Sequence, residues 1–577
     1  MGTDMKWVLK ERADTETVSR LSSELGIDPV LAELLAQRGI TTFEQARAFF
    51  RPDIANLHDP FLMKDMDKAV DRLEKAVRSG EKILIYGDYD VDGTTAVALM
   101  YNFLSKYAPK TDYYIPDRYD EGYGVSFKGI DWAEENGFKL IITVDCGIKA
   151  VEKVKYAAEY GIDMIICDHH LPEDGLPPAV AVLDPKREDD FYPFDDLSGC
   201  GVGFKLVQAF AQKNGISFEE VTSQLDLLAV SIAADLVNVT GENRILAFEG
   251  LKRLNTSPNK GLLSMINVAG LDPSHITFDD IVFKIGPRLN AAGRMENGRI
   301  SVELMIAKDS QSAQKVADKI NQHNNERKNI DHTVTEEALR MVAGGACLCC
   351  DNVTIVYDPG WHKGVVGIVA SRLVEAHFKP AIVLTKSNGV ITGSARSVGS
   401  LDIYSPLESC ADLLENFGGH LYAAGLSLKE ENLSEFVRRM NEAVGGSTTP
   451  EMLVPVVTVD TKLDFKSITP KFFRILKQFQ PFGPGNNVPV FETDNVYDNG
   501  NVRRVGADGN HLKLDLIQED FPQSHFNAIA FSQGDHYEGI ADGNPIDICY
   551  SIVENVFRGI ANMQLRIKDI KEREEII

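Results

Sequence analysis

Three short acidic segments each follow a run of apolar, β-prone residues. The segments are Asp88-Tyr89-Asp90-Val91-Asp92, Asp145 and Asp168-His169-His170, and the runs before them are 83–86, 140–144 and 164–167. Continuous apolar runs are typical of strands buried on both faces of a parallel sheet. Ligands of open α/β sheets bind beyond the carboxyl ends of the strands, where these acids would lie. Clustered carboxylates repel one another at neutral pH without cations between them. The sequence therefore predicts a divalent-metal site, unless the acids are spread apart in space.

The spacing of Asp88, Asp90 and Asp92 favours a site over a turn. Asp and Gly are common in turns, but residues two apart in an extended segment point to one side. Asp235 is a weaker candidate, because acids are common near helix ends and it lies near the end of a predicted helix over 225–236. Carboxylates with one or two imidazoles suit Mn²⁺ or Mg²⁺ better than thiolate-bound zinc.

Length and composition limit the class of protein. A chain of 577 residues is too long for one core, so we expect four compact units. The 44% hydrophobic and 25% charged composition is that of a soluble globular protein. No apolar run approaches the roughly 18 residues of a membrane span, and the N-terminus has no apolar signal core. We expect a cytoplasmic protein that does not bind membranes.

The net charge of −25 argues against a protein that coats nucleic acid, because such proteins need a basic face. It leaves room for an enzyme with a local basic groove, since the chain has 60 Lys and Arg residues. The cluster Cys347-Leu348-Cys349-Cys350 has no second Cys or His pair nearby, so a structural role is favoured over zinc. The other five cysteines are interpreted as reduced core thiols.

The order of patterns predicts an α/β multidomain chain. Strands and helices alternate after an N-terminal helical segment, a long polar helix follows, a smaller α/β unit comes next, and short alternating strands near the end indicate a β-barrel. A linker is predicted at 445–450. The predicted boundaries are 1–65 for the helical cap, 66–300 for the parallel-sheet domain, 301–345 for the connector helix, 346–446 for the second α/β domain and 451–577 for the barrel.

The acidic motifs with Asp235 resemble the DHH phosphoesterase superfamily, whose name is the Asp-His-His triplet. The segment Gly286-Pro287-Arg288-Leu289-Asn290-Ala291-Ala292-Gly293-Arg294 is similar to its RecJ branch of single-strand-specific 5′ to 3′ exonucleases. The segments 361–372, 393–397 and 418–420 resemble the DHH-associated domain, DHHA1, and 481–486 resembles a C-terminal OB-fold region. The resemblance covers nearly the whole chain from Asp67 onward.

The resemblance implies two divalent ions that share Asp145 as a bridging ligand. One ion would bind Asp88 and Asp90, and the other Asp92, His169 and Asp235. Two such ions can activate water for in-line attack on phosphorus and stabilise the leaving oxygen. In this scheme Asp168 orients His169, and His170 contacts the scissile phosphate or assists the leaving group.

A further set of residues is expected to hold substrate phosphates, because Arg meets phosphate oxygens in pairs. For Arg372 a surface ion pair is an equally good explanation, whereas Arg396, in a predicted Gly-opened loop, is favoured as a binding residue. The set is Arg288, Asn290, Arg294, His362, Arg372, Ser394, Arg396 and His420.

The resemblance thus implies a metal-dependent exonuclease that shortens single-stranded DNA from the 5′ end to 5′-mononucleotides in repair and recombination. Its expected partners are single-stranded DNA, a single-strand-binding protein and a helicase, and the chain is expected to be a monomer. An OB-like region would add sequence-insensitive base stacking.

Two alternatives stay open. The chain could instead hydrolyse small phosphoanhydrides, cyclic dinucleotides or oligoribonucleotides, or it could be a binding scaffold with an inactive site.

Overall fold

The computed structural model describes residues 5–173, 175–557 and 560–573, which form two compact units rather than the four that were expected. Unit I comprises Ala48–Lys328 and Phe479–Asn487, and unit II comprises Met1–Arg47, Asn329–Gln478 and Val488–Ile577. Among the described residues, no helix combines the length and the apolar character needed to cross a bilayer.

Unit I is built on a five-stranded parallel sheet, as the continuous apolar runs predicted. Every residue of its two central strands is buried, because both faces of the sheet are covered. The strands, in sheet order, are Thr111–Tyr114, Ile83–Gly87, Leu140–Val144, Asp163–Cys167 and Ala181–Leu183.

Helices cover both faces of this sheet. On one face the apolar core includes Ile83, Ile142 and Ile165 and receives the helices Met66–Ser79, Val91–Leu104 and Gly199–Lys213. On the other face the core includes Leu84 and Ile141 and receives the helices Phe127–Glu135 and Val151–Glu159. The alternation of residues between these two cores is the two-residue period of a strand with both sides buried.

The rest of unit I is helical. The predicted helix over 225–236 is present as Leu225–Asp235, and it is buried along most of its length rather than along one side. A π-helical turn, Ile281–Ile285, leads directly into the helix that carries the Arg288 motif. The remaining helices of this region are Phe218–Thr222, Gly241–Leu254, Lys260–Val268, Phe278–Asp280, Gly286–Met295 and Arg299–Met305.

The long polar helix runs over Ser310–Ala343, rather than over the predicted 301–345. Arg299–Met305 is a separate helix. The break follows from Asp309, whose Oδ1 accepts a hydrogen bond from the backbone N–H of Ser312 at 2.8 Å. This is the N-cap arrangement that begins a new helix. The prediction missed the break because the sequence is polar on both sides of it.

The middle part of unit II contains the second α/β fold. Its first two strands are parallel and the others antiparallel, and the helices Val366–His377, Tyr404–Glu408 and Leu433–Ser447 accompany them. The sheet order is Leu414–His420, Ala423–Leu428, Val390–Arg396, Ala381–Ser387 and Thr354–Tyr357. Ser394 and Arg396 therefore lie in a strand, and the prediction of a Gly-opened loop at this segment was wrong.

Two further details of this region differ from the prediction. The helix Leu433–Ser447 continues through Gly445 and Gly446, where a linker was predicted. A side chain at Gly445 would lie 2.4 Å from the amide of Asn352, so close packing explains the glycine. Cys347 and Cys350 form a disulfide bond, a pairing that the sequence interpretation did not include. The five cysteines expected in the core are all buried.

The C-terminal strands close into a five-stranded barrel, which confirms the predicted OB-like domain. The ring closes because the first strand pairs with both the second and the last. The strands, around the ring, are Phe491–Asp498, Ile546–Phe557, Ile560–Glu572, Phe521–Ala530 and His511–Gln518. The short strands Thr461–Lys462 and Arg503–Val505 pair at its margins, and the helix Pro470–Leu476 precedes it.

The N-terminal segment is not entirely helical as predicted. Its first element is a strand, Lys6–Leu9, which pairs in parallel with Val456–Val459 of the same unit. The partner lies so far along the chain that local patterning could not reveal it. Helices follow at Thr15–Leu25, Pro29–Ala36 and Phe43–Phe50.

A buried ion pair links two helices of unit I, Gly199–Lys213 and Gly241–Leu254. Lys205 and Glu242 are 0% and 1% exposed, and Lys205 Nζ lies 2.6 Å from Glu242 Oε1. The hydroxyl of Tyr192 donates to Glu242 Oε2 at 2.6 Å, and the backbone N–H of His58 donates to Oε1 at 2.9 Å. The pair is fully hydrogen-bonded, which is the condition under which a buried pair is tolerated.

We expect Lys205→Met to lower the free energy of unfolding by about 3–5 kcal/mol, because it leaves the Glu242 carboxylate buried without a cation. Urea unfolding followed by circular dichroism measures this change. The matched control is Lys155→Met, which removes the exposed pair with Glu152 and should cost less than about 0.5 kcal/mol. Equal stability of the two variants would contradict the assigned role of the pair.

Candidate metal centre

Acidic residues follow four neighbouring strands at the carboxyl edge of the parallel sheet. In sheet order they are Asp88, Asp145, Asp168 and Asp184. The backbone N–H of Asp145 donates to the carbonyl of Cys167 at 2.9 Å, and that of Asp168 donates to the carbonyl of Leu183 at 3.0 Å. The sheet ladder thus extends to these acids and fixes their backbones side by side.

The Asp88–Asp92 segment is not extended as predicted, because the helix Val91–Leu104 begins inside it. Asp90 is the N-cap of that helix and its Oδ1 accepts from the N–H of Gly93 at 3.0 Å. Asp92 lies in the first turn. The three acids still lie at one edge of the sheet. Asp88 is there because it follows a strand, and Asp90 and Asp92 are there because a helix begins at that point. The alternation of side chains along an extended segment is not the reason.

Backbone and hydroxyl donors hold the carboxylate of Asp92. It accepts from the N–H groups of Gly199 and Cys200 at 2.6 and 2.9 Å, and from Ser231 Oγ at 2.6 Å. The first two donors open the helix Gly199–Lys213, and helix N-termini favour negative charge. Asp92 is 2% exposed, so these bonds replace the water that burial removes.

Asp145 lies at the centre of the site in a strained backbone conformation. Its φ is +59°, in the left-handed region that few residues other than Gly adopt and that Asn and Asp tolerate better than most. A Cβ on Gly199 would lie 2.5 Å from the Cβ of Asp145, so only glycine fits against it. The helix start that holds Asp92 can therefore approach Asp145 directly.

His169 faces three of these acids. Its Nε2 lies 3.1 Å from Asp145 Oδ1, 3.6 Å from Asp235 Oδ2 and 3.8 Å from Asp92 Oδ2. Ligand atoms of Asp92, His169 and Asp235 lie within 4.8 Å of one another, and so do those of Asp145, His169 and His170. The structure therefore brings Asp235, the weakest of the predicted ligands, into the cluster.

The donor set fits a divalent cation. Within the described part of the chain, both ring nitrogens of His169 and Oδ2 of Asp88 are buried without a hydrogen-bond partner. Buried polar atoms normally have partners, and a cation between them would supply one. Oxygen ligands with one imidazole are the set that Mn²⁺ or Mg²⁺ accepts.

Protonation reflects the crowding of these groups. Burial, followed by repulsion from neighbouring acids, raises the pKa of Asp88, Asp90, Asp145 and Asp235. Burial lowers the pKa of His169 to about 4, so its ring is neutral and able to bind a metal near pH 7. A bound cation would reverse the effect on the acids by favouring their charged forms.

Asp168 orients His170, not His169 as predicted. Its Oδ1 lies 2.7 Å from His170 Nδ1, whereas its only bond to His169 is from the backbone N–H, at 2.8 Å. Burial opposes the charge on His170, but the bond with Asp168 and its charge raise the pKa of the ring to about 9. His170 is therefore protonated at neutral pH and presents Nε2 as a donor.

The Arg288 motif forms the helix Gly286–Met295 in the same unit. A Cβ on Gly293 would lie 2.8 Å from the carbonyl oxygen of Tyr89, so the helix contacts the segment that carries Asp88 and Asp90. Arg288, Asn290 and Arg294 are half-buried on this helix. The hydroxyl of Tyr119 donates to the backbone carbonyl of Arg294.

The other predicted phosphate-binding residues lie in unit II, where Ser394 and Arg396 come together. Arg396 NH1 donates to Ser394 Oγ and to the carbonyl of Ala395, both at 2.7 Å. Gly367 lies against them, because its Cβ would be 2.9 Å from Arg396 NH2. Burial lowers the pKa of Arg396.

His420, His362 and Arg372 have different surroundings in unit II. His420 is exposed and lies in the row of the sheet that contains Arg396, since Ala423 pairs with both. His362 Nδ1 accepts from the N–H of Gly364 at 3.1 Å. Arg372 lies 3.8 Å from Asp331 and is half exposed, which is the ion pair that the alternative interpretation predicted.

Sequence reasoning missed two residues beside the centre. Asp184 follows an apolar run of three residues, too short to be noticed, and burial raises its pKa to about 8. Tyr123 gave no signal, because a tyrosine between Gly122 and Gly124 suggests only a loop. Its hydroxyl lies 3.2 Å from His170 Nε2 and donates to the carbonyl of Asp145 at 3.3 Å.

Family profiles match three parts of the chain. The DHH family, N-terminal domain, matches residues 82–232, the DHHA1 domain matches 351–446, and the RecJ OB domain matches 459–569. The first match contains the acidic strand ends and His169, and the second contains Ser394, Arg396 and His420.

Relatives and a solved structure agree with these profiles. The chain is 38% identical over 571 residues to the single-stranded-DNA-specific exonuclease RecJ of Bacillus subtilis, covering 99% of this chain and 71% of that protein. Identity to the Escherichia coli protein of the same name is 31% over 585 residues, covering 97% and 98%. The crystal structure of RecJ in complex with Mn²⁺ from Thermus thermophilus matches with a TM-score of 0.83 at 26% identity, covering 99% of this chain and 80% of that one. The chain belongs to the RecJ family.

Proposed function

We propose that this protein is a metal-dependent exonuclease that hydrolyses the phosphodiester bonds of single-stranded DNA from the 5′ end, releasing 5′-mononucleotides during DNA repair and recombination. The observation that carries the proposal is the cluster of buried Asp92, Asp145 and His169 with half-buried Asp235, in which both ring nitrogens of His169 lack a hydrogen-bond partner, in a chain of the RecJ family. Polarity and product are carried over from the family resemblance.

Mn²⁺ or Mg²⁺ is the proposed cofactor, with two ions at the carboxyl edge of the sheet. Asp88, Asp90 and Asp145 would hold one ion, and Asp92, Asp145, His169 and Asp235 the other. When bound, such ions lower the pKa of water and neutralise charge on the phosphate and the leaving oxygen. The short distances from His169 Nε2 to Asp145 and Asp235 support the second set.

The protein's own groups orient and protonate the substrate. His170 holds a proton at Nε2, because Asp168 stabilises the charged ring, and we propose that it donates a hydrogen bond to the scissile phosphate. The hydroxyl of Tyr123 lies 3.2 Å from this Nε2, so the phosphate would replace or share that contact. Asp168 in turn accepts from the N–H of Ile148 at 2.8 Å, which anchors it to the sheet edge.

The remaining predicted residues are proposed as phosphate contacts away from the ions. Arg288, Asn290 and Arg294 would act in unit I, and His362, Ser394, Arg396 and His420 in unit II. The two hydrogen bonds that Arg396 NH1 donates go to uncharged oxygens, of Ser394 and Ala395. They do not neutralise the charge of Arg396, which supports a role in anion binding. Arg372 has weaker support because of its ion pair with Asp331.

We also propose the predicted division into domains, with the connector helix at Ser310–Ala343. The barrel region of 451–577 is proposed to stack bases without sequence preference. The protein is proposed to act as a cytoplasmic monomer, with a single-strand-binding protein and a helicase as candidate partners.

The first test compares strands labelled at the 5′ or the 3′ end. With Mn²⁺ or Mg²⁺ we expect labelled mononucleotide to appear first from the 5′-labelled strand, and with a chelator we expect no product. Cyclic dinucleotides and short oligoribonucleotides serve as competing substrates. Faster hydrolysis of those small substrates than of the DNA strand would favour the alternative phosphodiesterase function.

The second test removes proposed ligands. Asp145→Ala or His169→Ala should lower the rate by more than about a hundredfold, since loss of groups that merely support ligands already costs about 10–100-fold, while DNA binding survives. Asp112→Ala is the control, because Asp112 is an exposed acid on the same sheet. Full activity of either ligand variant would refute the site assignment.

The third test uses the raised pKa values of the acids. Because burial and mutual repulsion raise the pKa of Asp88, Asp145 and Asp235, these groups keep their protons to a higher pH than ordinary carboxyl groups and must release them to bind a cation. The affinity for Mn²⁺ should therefore rise with pH. Calorimetry in two buffers of different ionisation enthalpy measures the released protons. Mn²⁺ binding without proton release would contradict the expectation.

A further inference from the structure

Three cations of unit I meet outside the metal centre. Arg288 lies on the helix Gly286–Met295, and Arg327 and Lys328 lie on the long helix Ser310–Ala343. Burial and then the charge of Arg327 lower the pKa of Arg288. Burial and then the charges of Arg288 and Arg327 lower the pKa of Lys328. Each cation therefore lies within electrostatic reach of the others, and we call the three residues the Arg288 cluster.

Neutral amides hold the two guanidinium groups of the cluster. Arg288 Nε donates to Asn321 Oδ1 at 3.1 Å, and Arg327 NH2 donates to Asn324 Oδ1 at 3.1 Å. Asn321 and Asn324 lie three residues apart, and thus on one face of the long helix. An amide fixes the direction of a guanidinium group without neutralising it, whereas a carboxylate would do both.

Acidic groups do not offset the charge of Arg288 or Lys328. No carboxylate among the described residues contributes to the pKa of either side chain, and the causes of both shifts are burial and other cations. Like charges that meet in this way lower stability. Cations that served stability would be expected to alternate with acids, so the arrangement indicates a binding site for an anion.

The cluster is connected to the metal centre through one helix. Arg288 precedes Gly293 by five residues, or about 7.5 Å along the helix axis and about 140° around it. Gly293 packs against the carbonyl of Tyr89 in the Asp88–Asp92 segment. The cluster is therefore offset from the ions in the same unit. An extended polyanion that places one phosphate at the ions could place another at the cluster.

We propose that Arg288, Arg327 and Lys328 bind backbone phosphates of the single strand other than the scissile phosphate. The amides of Asn321 and Asn324 orient the two guanidinium groups, and Lys328, which is exposed, adds a mobile charge at the rim. The proposal rests on the proposed function for its substrate and assigns part of that strand's path to the long helix.

The test measures how the affinity for DNA depends on salt. The full-length wild type and Lys328→Ala are titrated, in EDTA to prevent hydrolysis, against a fluorescein-labelled thymidine homopolymer between about 50 and 200 mM KCl. Each lost phosphate contact on a single strand should make the slope of log K against log salt shallower by about 0.7, which corresponds to about fivefold weaker binding at 0.1 M salt. The double variant Arg327→Ala/Lys328→Ala should change the slope by about 1.4.

The matched control is Lys315→Ala. Lys315 is exposed on the same helix, 13 residues before Lys328, which places it about 140° away around the helix. It should keep the wild-type slope. Thermal unfolding verifies the fold of every variant. If the double variant is unfolded, the slope measured for Lys328→Ala alone tests the proposal.

The outcomes separate this proposal from the proposed function. A wild-type slope for Lys328→Ala overturns the phosphate site, whether or not the wild type degrades DNA. A shallower slope for Lys328→Ala together with a wild type that hydrolyses no single-stranded DNA supports the phosphate site and overturns the nuclease function.

Discussion

Repulsion among buried carboxylates is the constraint on which the arrangement of unit I depends. Asp88, Asp90, Asp92, Asp145 and Asp235 are brought together where little water can reach them, so each charge must be matched by another group. The start of the helix Gly199–Lys213 satisfies Asp92, and it can do so only because Gly199 has no side chain to meet Asp145. The two ring nitrogens of His169 are buried without a hydrogen-bond partner, and a bound cation would supply that partner.

Repulsion between like charges also occurs in the proposed substrate path, but there the repelling groups are cations. At the metal centre, acids repel one another more strongly than the nearby cations Arg118, His170 and Lys186 attract them. In the Arg288 cluster, the pKa values of Arg288 and Lys328 are lowered by burial and by neighbouring cations. Both arrangements cost stability in the free protein, and both are relieved by a partner of the other charge. The acidic total of −25 is therefore compatible with nucleic-acid binding, because local groups and not the total meet the strand.

The sequence could predict features that depend on neighbouring residues. Buried parallel strands require continuous apolar runs, so Ile83–Gly87, Leu140–Val144 and Asp163–Cys167 were predictable, and with them the acids that follow. Features set by distant residues were not predictable. The strand Lys6–Leu9 exists because of Val456–Val459, and the contact of Asp168 with His170 in place of His169 depends on ring directions that no spacing encodes. Asp184 was missed because a three-residue run gives too little signal.

The two units are interleaved along the chain, and this has a consequence for biosynthesis. Unit I includes the distant segment Phe479–Asn487. Arg244 of the same unit donates hydrogen bonds to the carbonyls of Phe479 and Gln480 at 2.9 and 3.0 Å. Unit II begins with Lys6–Leu9, whose partner strand starts at Val456. At about 5–20 residues per second, the ribosome needs roughly 20–90 s to deliver that partner. Neither unit can be finished before the other is well advanced, so the nascent chain must keep an unpaired strand edge from aggregating through most of its own translation.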